Sequence, residues 1–348
     1  MSERHGASRR WRPEPAASAV PLTIRIFRLD NALDNALAVK FDSAAFARKD
    51  GANFCWQEFT MKRVSDCKPR TVLITGCSTG IGQACALDLA ARGWRVLAGV
   101  RDRQDGQRIA REAAGDLQPI LLDVTDRSMI QAAVERLDAL PGDGGLDGLV
   151  NNAGIVVPGP LELLATEDLR RQLEVNVLGT HALTAAMLPM LRQAKGRIVL
   201  MGSITGRITP PQYGAYAASK HALEAMADAW RVELRPWRLS VSIVQPDNVD
   251  TPIWNKLDRS VEALGNRSQQ TVVDMYQHSM QKVRASGLRM GRTGMSTARV
   301  VRAVRHALSA RWPRARYPVG WRTRLAFWGA GNLPAWIMDR FLQLAVDR

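Results

Sequence analysis

Thr71-Val72-Leu73-Ile74-Thr75-Gly76-Cys77-Ser78-Thr79-Gly80-Ile81-Gly82-Gln83-Ala84-Cys85-Ala86-Leu87-Asp88-Leu89-Ala90-Ala91 is the stretch on which the fold turns. Thr71 to Ile74 is a short, β-prone apolar run that reads as a buried strand. Glycines at 76, 80 and 82 permit a tight turn, and an Ala/Leu-rich stretch from Gln83 to Ala91 then reads as a helix stopped by Gly93. The order is strand, turn, helix.

Working outward, the same texture recurs. Arg95 to Ala98, Ile120 to Leu122 and Leu146 to Val150 read as strands, and Arg108 to Ala114 and Ser128 to Leu140 read as helices. A helical stretch from about Thr166 to Ala194, interrupted somewhere along its length, and another from Ala217 to Leu234 bracket a strand around Gly196 to Met201. Ser240 to Val244 supplies one more buried strand. Strands alternating with helices predict an α/β fold, with a doubly wound parallel sheet covered on both faces. There is no repeat of solenoid type.

Two further motifs fall at the carboxyl ends of these strands, where ligands bind in an open parallel sheet. Asn151-Asn152-Ala153-Gly154 follows one strand and Ser203 follows another. Thirteen residues past Ser203 begins Tyr216-Ala217-Ala218-Ser219-Lys220, whose Tyr and Lys, four apart, share one helix face. A Gly-rich turn often serves only to pack a helix on a strand, and a lone Tyr or Lys on a helix is ordinarily an amphipathic surface side chain. Together, in this order and spacing, the motifs resemble the short-chain dehydrogenase/reductase family over roughly Arg70 to Gly320, and Cys77 in the glycine turn, Val100-Arg101-Asp102 and the Arg316-Tyr317-Pro318-Val319-Gly320 run look most like its hydroxysteroid and retinol dehydrogenase branch.

The resemblance implies a Rossmann-type catalytic domain at 70–320 and oxidoreduction of an alcohol and a carbonyl with a nicotinamide cofactor. It assigns Tyr216 as general acid/base and Ser203 as the group that holds the substrate oxygen. Lys220 binds the nicotinamide ribose, and Asn176 holds a water that links the lysine to solvent. A tyrosine serves near neutrality only if its pKa falls from about 10, and the Lys220 charge acts in that direction. The turn residues Gly76, Ser78, Thr79, Gly80, Ile81 and Gly82 are assigned to the cofactor, together with Asp123, Val124, Asn152, Ala153, Gly154, Tyr216, Lys220, Val249 and Thr251. Val100 stands where the family's NAD-selective acid would be, and Arg101 follows it. That predicts NADP(H) in preference to NAD(H), because guanidinium pairs with phosphate, whereas Asp102 would act in the opposite sense. One departure is Asp247, where the family usually has a glycine free to adopt positive φ. It predicts a shifted backbone beside Val249 and Thr251. The family also implies a homo-oligomer, dimer or tetramer, and a non-catalytic NADP(H)-binding regulator of the same fold is the alternative function.

Pro252 to Gly291 occupies the family's variable lid, where Ile253, Trp254, Leu257, Leu264, Val272, Val273, Met275, Tyr276, Met280 and Leu288 would either cover a lipophilic substrate or pack on the core. Of 348 residues, 46% are hydrophobic and 23% charged, which excludes wholesale disorder. The net charge of +15 is unevenly placed. Residues 1–69 hold 12 basic and 8 acidic side chains and residues 281–348 hold 14 and 2, so the body between them is close to neutral. A nucleic-acid partner is not expected, because positive charge would then line the body. The tail 321–348 mixes arginines with Trp321, Trp328 and Trp336, and Ile337, Met338, Phe341, Leu342 and Ala345 share one helical side. It reads as a basic amphipathic extension that lies on a membrane surface, closes the pocket, or forms an oligomer seam. No apolar run reaches the length of a membrane span.

Cys55, Cys67, Cys77 and Cys85 have neither metal-ligand nor disulfide-framework spacing, so no metal is expected and the thiols read as reduced, in a cytoplasmic protein with membrane contact through the tail. Residues 1–69 show no clean periodicity and read as a poorly structured extension. Met61, just ahead of the first strand, is an alternative start. Arg4 to Arg28 is Arg-rich, but Glu14, Pro15 and Pro21 interrupt both a signal-peptide core and a transit helix.

Overall fold

The computed structural model describes residues 24–28, 37–41, 69–140, 145–251 and 270–347. The chain divides into two units, Met1–Cys67 and Lys68–Arg348. In the first, β1 (Ile24–Arg28) pairs antiparallel with β2 (Leu37–Phe41). The alternative start Met61, Cys55 and Cys67 lie outside the described residues.

The second unit is built on seven strands: β3 (Thr71–Ile74), β4 (Arg95–Val100), β5 (Leu117–Leu121), β6 (Gly148–Asn151), β7 (Arg197–Met201), β8 (Ser240–Pro246) and β9 (Arg316–Val319). Their order across the sheet is β5-β4-β3-β6-β7-β8-β9, every neighbour parallel. The chain starts at β3, runs outward to β5, then returns to β6 on the other side of β3. That reversal opens a crevice outside the carboxyl ends of β3 and β6.

Both faces are covered, and the two-residue period of the strands divides the core. Val72, Ile74, Val96, Ala98 and Val199 face one cluster with α1 (Gly80–Ala90) and α8 (Thr297–Ser309). Leu73, Leu97, Ile198 and Leu200 face the other, with α3 (Arg127–Asp138), α5 (Thr180–Ala194) and α6 (Gly214–Glu233). The remaining helices are α2 (Arg103–Glu112), α4 (Thr166–Leu173), α7 (Gln270–Thr293), α9 (Trp321–Asn332) and α10 (Ala335–Asp347).

Several local expectations shift. Helix α2 begins at Arg103, not Arg108, because the Asp102 carboxylate accepts from the Gln104 N–H at 2.7 Å and caps an otherwise charged first turn. The interruption between α4 and α5 is a π-helical segment, Glu174–Gly179. Among the described residues the non-glycine residues with positive φ are Lys195, Gln212 and Arg238, and Asp247 is not one of them. Asp247 therefore does not take up a glycine-type conformation, and its N–H continues the ladder to Val319 O at 3.2 Å.

Of the lid residues, Ile253, Trp254, Leu257 and Leu264 and the Leu288 side chain lie outside the description. Val272, Val273, Tyr276 and Met280 pack with Leu163 and Leu164, whereas Met275 is 77% exposed and lines nothing. In the tail, α9 packs on the turn after Ser203 and α10 on α7. The apolar side read from sequence divides: Ile337, Met338 and Leu342 are half-buried, while Phe341 faces outward with Trp336 and Leu344.

Candidate active site

The first wall of the crevice is the turn between β3 and α1. Gly76 and Gly80 have φ of 69° and 64°, and a Cβ at Gly82 would stand 2.2 Å from the Gly76 carbonyl oxygen. Only glycine closes this turn. Thr79, at the N-cap of α1, makes no side-chain capping bond, and the first turn carries no acid. The N-terminal N–H groups and the helix dipole therefore remain open to an anion, which fits the pyrophosphate of a dinucleotide.

Asn152-Ala153-Gly154 comes up against this turn from β6. The Asn152 amide donates to Thr75 O at 2.8 Å and Gly76 O at 3.1 Å, and the Asn152 and Ala153 N–H groups both bond to Thr75 Oγ1. Asn152 thus serves the cofactor turn by shaping it, since its own donors are taken. Arg108 of α2, which the sequence reading passed over, donates to the Ser78 carbonyl of the same turn. Asp123 bonds locally to Thr125. Val124 is buried against Gly179, where a Cβ would come within 2.7 Å. Val249 is buried and bridges in parallel to Met295.

At the adenosine end, Arg101 is exposed immediately after β4. Asp102, which would favour a ribose hydroxyl, is occupied as the α2 cap.

The second wall carries the groups for chemistry. Ser203, just past β7, is buried, and its Oγ accepts from Thr205 N–H at 3.1 Å. Tyr216 is half-buried on the first turn of α6. Burial pushes its pKa up to about 12, against the effect of a hydrogen bond from Ser203. One turn on, Lys220 is buried, donates from Nζ to Met201 O at 2.7 Å, and lies 5.5 Å from the centre of the Tyr216 ring. Burial brings its pKa down to about 8. The structure so brings Ser203, Tyr216 and Lys220 together, as the spacing required. Burial of the Tyr216 hydroxyl acts in the opposite direction to the one expected from the Lys220 charge.

Asn176 sits in the π segment, buried. Its Oδ1 accepts from Ile155 N–H at 2.9 Å, and its Nδ2 donates to Ile155 O at 3.1 Å and to Ser219 Oγ at 3.0 Å. Ser219 Oγ in turn donates to Tyr216 O at 2.7 Å. Asn176 thereby clamps the segment after β6 to α6, and π-bulges are frequent at functional sites. Glu224, one turn past Lys220, is a second residue that the sequence reading missed. It is buried and accepts from Gln245 Nε2 at 2.6 Å and Arg316 Nε at 3.0 Å. The signal was its spacing, since Tyr216, Lys220 and Glu224 form one stripe.

The family model described as short chain dehydrogenase matches residues 70–262, the span that holds both walls. The chain belongs to this family. Retinol dehydrogenase 5 of Mus musculus is 36% identical over 286 residues, covering 80% of this chain and 89% of that protein. The 17-beta-hydroxysteroid dehydrogenase type 6 of Homo sapiens is 35% identical over 286 residues, with the same coverage. Among solved structures, a short-chain dehydrogenase from Streptomyces avermitilis aligns with TM-score 0.64 at 24% identity, covering 80% of this chain and 98% of that one. A short chain dehydrogenase/reductase from Burkholderia phymatum, solved in complex with NAD, aligns with TM-score 0.61 at 26% identity, covering 72% and 88%. This short chain dehydrogenase falls in the retinol and hydroxysteroid dehydrogenase branch and is an oxidoreductase acting on CH–OH donors.

Proposed function

We propose that this chain interconverts a lipophilic alcohol and its carbonyl compound by hydride transfer with NADP(H), and that Tyr216 is the general acid/base. The observation that carries the reading is the convergence of Ser203, Tyr216 and Lys220 at the carboxyl edge of the sheet, beside a helix N-terminus left open to an anion. Bound nicotinamide supplies or accepts the hydride. Ser203 holds the substrate oxygen, and Tyr216 donates the proton that a reduced carbonyl oxygen requires and takes it back from the alcohol in the oxidative direction. Lys220 contributes its charge and orients the nicotinamide ribose. The pyrophosphate is received by the turn at Gly76, Ser78, Thr79, Gly80, Ile81 and Gly82, with Asp123, Val124, Ala153, Gly154, Val249 and Thr251 along the rest of the crevice.

NADP(H) is favoured over NAD(H) because Val100 offers no acid to the ribose, Arg101 is free at the surface to pair with a phosphate, and the Asp102 carboxylate is spent on α2. Arg101→Ala is expected to raise KM for NADPH about tenfold and leave KM for NADH unchanged; equal effects on both would reject the assignment. A lipophilic secondary alcohol or ketone, or a long-chain or retinoid-like alcohol or aldehyde, is the proposed substrate; an open groove of about 390 Å³ with Pro160, Leu161, Pro210, Pro211 and Tyr276 in its lining adjoins the approach to α6, while Ser203, Tyr216 and Lys220 lie outside that lining. The names of the relatives above point the same way. A substrate panel that turns over only small polar sugars would contradict this part. Occupied catalytic positions argue against the non-catalytic regulator.

We infer further that the C-terminal helices rest on an anionic membrane surface. Trp321, Leu325 and Trp328 fall on one stripe of α9, all more than half exposed, flanked by Arg322 and Arg324; on α10, Trp336, Phe341 and Leu344 are exposed around Arg340. Aromatic and basic residues on one surface suit the interface of acidic lipids. None of the described helices is long and apolar enough to cross a membrane.

A further inference from the structure

Three residues before Tyr216, at the N-cap of α6, stands a second tyrosine that the proposed chemistry does not use. Tyr213 is 7% exposed and packs against Val283 of α7, Val156 of the segment after β6, and Tyr216 itself. Its hydroxyl is buried and has no hydrogen-bond partner among the described residues. Burial raises its pKa, and Tyr216 nearby raises it further.

A buried phenol without a protein partner forfeits its hydration without recovering a protein bond, and such a group in a native fold calls for an explanation, a ligand that bonds it being one. Phenylalanine would fill the same space against Val156 and Val283 without that cost. The chain neighbours of Tyr213, Gln212 and Gly214, with Tyr276 and Ser279 of α7, line the groove of about 390 Å³, while Tyr213 itself is outside that lining and packs on Tyr216.

We propose that Tyr213, whose side chain packs with Tyr216, Val156 and Val283, is a specificity-determining residue: its hydroxyl bonds to a second oxygen of the substrate close to the reacting one. This rests on the function proposed above, in which Ser203 and Tyr216 take the reacting oxygen. The substrate class narrows accordingly from lipophilic alcohols and ketones at large to lipophilic ketols and diketones, whose apolar body meets the valines and whose neighbouring oxygen meets Tyr213. A site built to bond a substrate oxygen discriminates against the analogue that lacks it.

The test uses the full chain with NADPH and two ketones of one skeleton, benzil and deoxybenzoin, which differ by the second carbonyl. Tyr213→Phe is expected to lower kcat/KM for benzil about tenfold, to leave deoxybenzoin within about twofold, and to melt at the wild-type temperature or above it, since only an unpartnered hydroxyl is removed. The proposal is overturned by an equal effect on both ketones, by no effect on benzil, by a lower melting temperature, or by a wild-type enzyme that reduces neither. Tyr216→Phe run alongside separates the two claims. Retained turnover in that variant refutes general acid/base catalysis by Tyr216, whereas a lost turnover with an indifferent Tyr213→Phe refutes the specificity assignment alone.

Discussion

Lys220 is buried with its ammonium on a single carbonyl, Met201 O, and this sets a pH dependence that belongs to one residue. Its pKa falls from an ordinary 10.5 to about 8 in the folded chain. Below pH 8 both states carry the proton and the group has no slope. Between 8 and 10.5 the unfolded chain binds more protons, so this contribution to stability rises with pH. Tyr216 acts oppositely: its pKa rises from 10 to about 12, the folded state holds the proton longer, and its contribution falls across that higher window. Lys220→Met is therefore expected to be more stable than wild type at pH 7, by a margin that narrows toward pH 10 in denaturant melts. A margin independent of pH would show that the lysine is not desolvated as described.

At the scale of elements, α6 is fastened to the far edge of the sheet by charge. Arg316 of β9 reaches Glu224 at 3.0 Å and Asp228 at 2.6 Å, two successive turns of α6. Removing one partner of a buried pair strands the other. Arg316→Ala is expected to cost about 2 kcal/mol, discounted because the guanidinium is partly exposed, and urea unfolding measures it; a loss indistinguishable from zero contradicts the account. This edge was also the least legible part of the sequence. Arg316–Val319 has four residues, one of them proline, which an edge strand tolerates but a sequence pattern hides. The start of α2 was hidden for a related reason, since a single Asp102 cap overrides a polar stretch of weak periodicity. By contrast, the glycine turn, the Asn152 loop and the Tyr216–Lys220 pair were plain, because each needs a particular residue type: no Cβ at Gly82, an amide against the Thr75 and Gly76 carbonyls, two groups one helical turn apart. What spacing did not carry was the environment that raises Tyr216 and isolates the Tyr213 hydroxyl, since both depend on what α7 and the segment after β6 bring alongside.

For the whole molecule, the net charge of +15 separates from the chemistry. It concentrates toward the C-terminus, where exposed tryptophans lie among arginines, while the crevice is built from glycines, amides and hydroxyls. Flotation with phosphatidylserine vesicles is expected at low salt, to be lost at about 0.5 M salt where screening is short-ranged, and to be abolished by Trp321→Ser with Trp328→Ser. No flotation at low salt removes the membrane reading, and a mass in solution that falls with the same two substitutions assigns the face to a seam between copies. The central claim, that Tyr216 moves the proton while nicotinamide moves the hydride, is tested most directly by NADPH-dependent reduction of a lipophilic ketone in wild type and Tyr216→Phe. The account predicts a kcat lowered by at least about 100-fold in the variant, with unchanged NADPH affinity and melting temperature; turnover equal to wild type would contradict it.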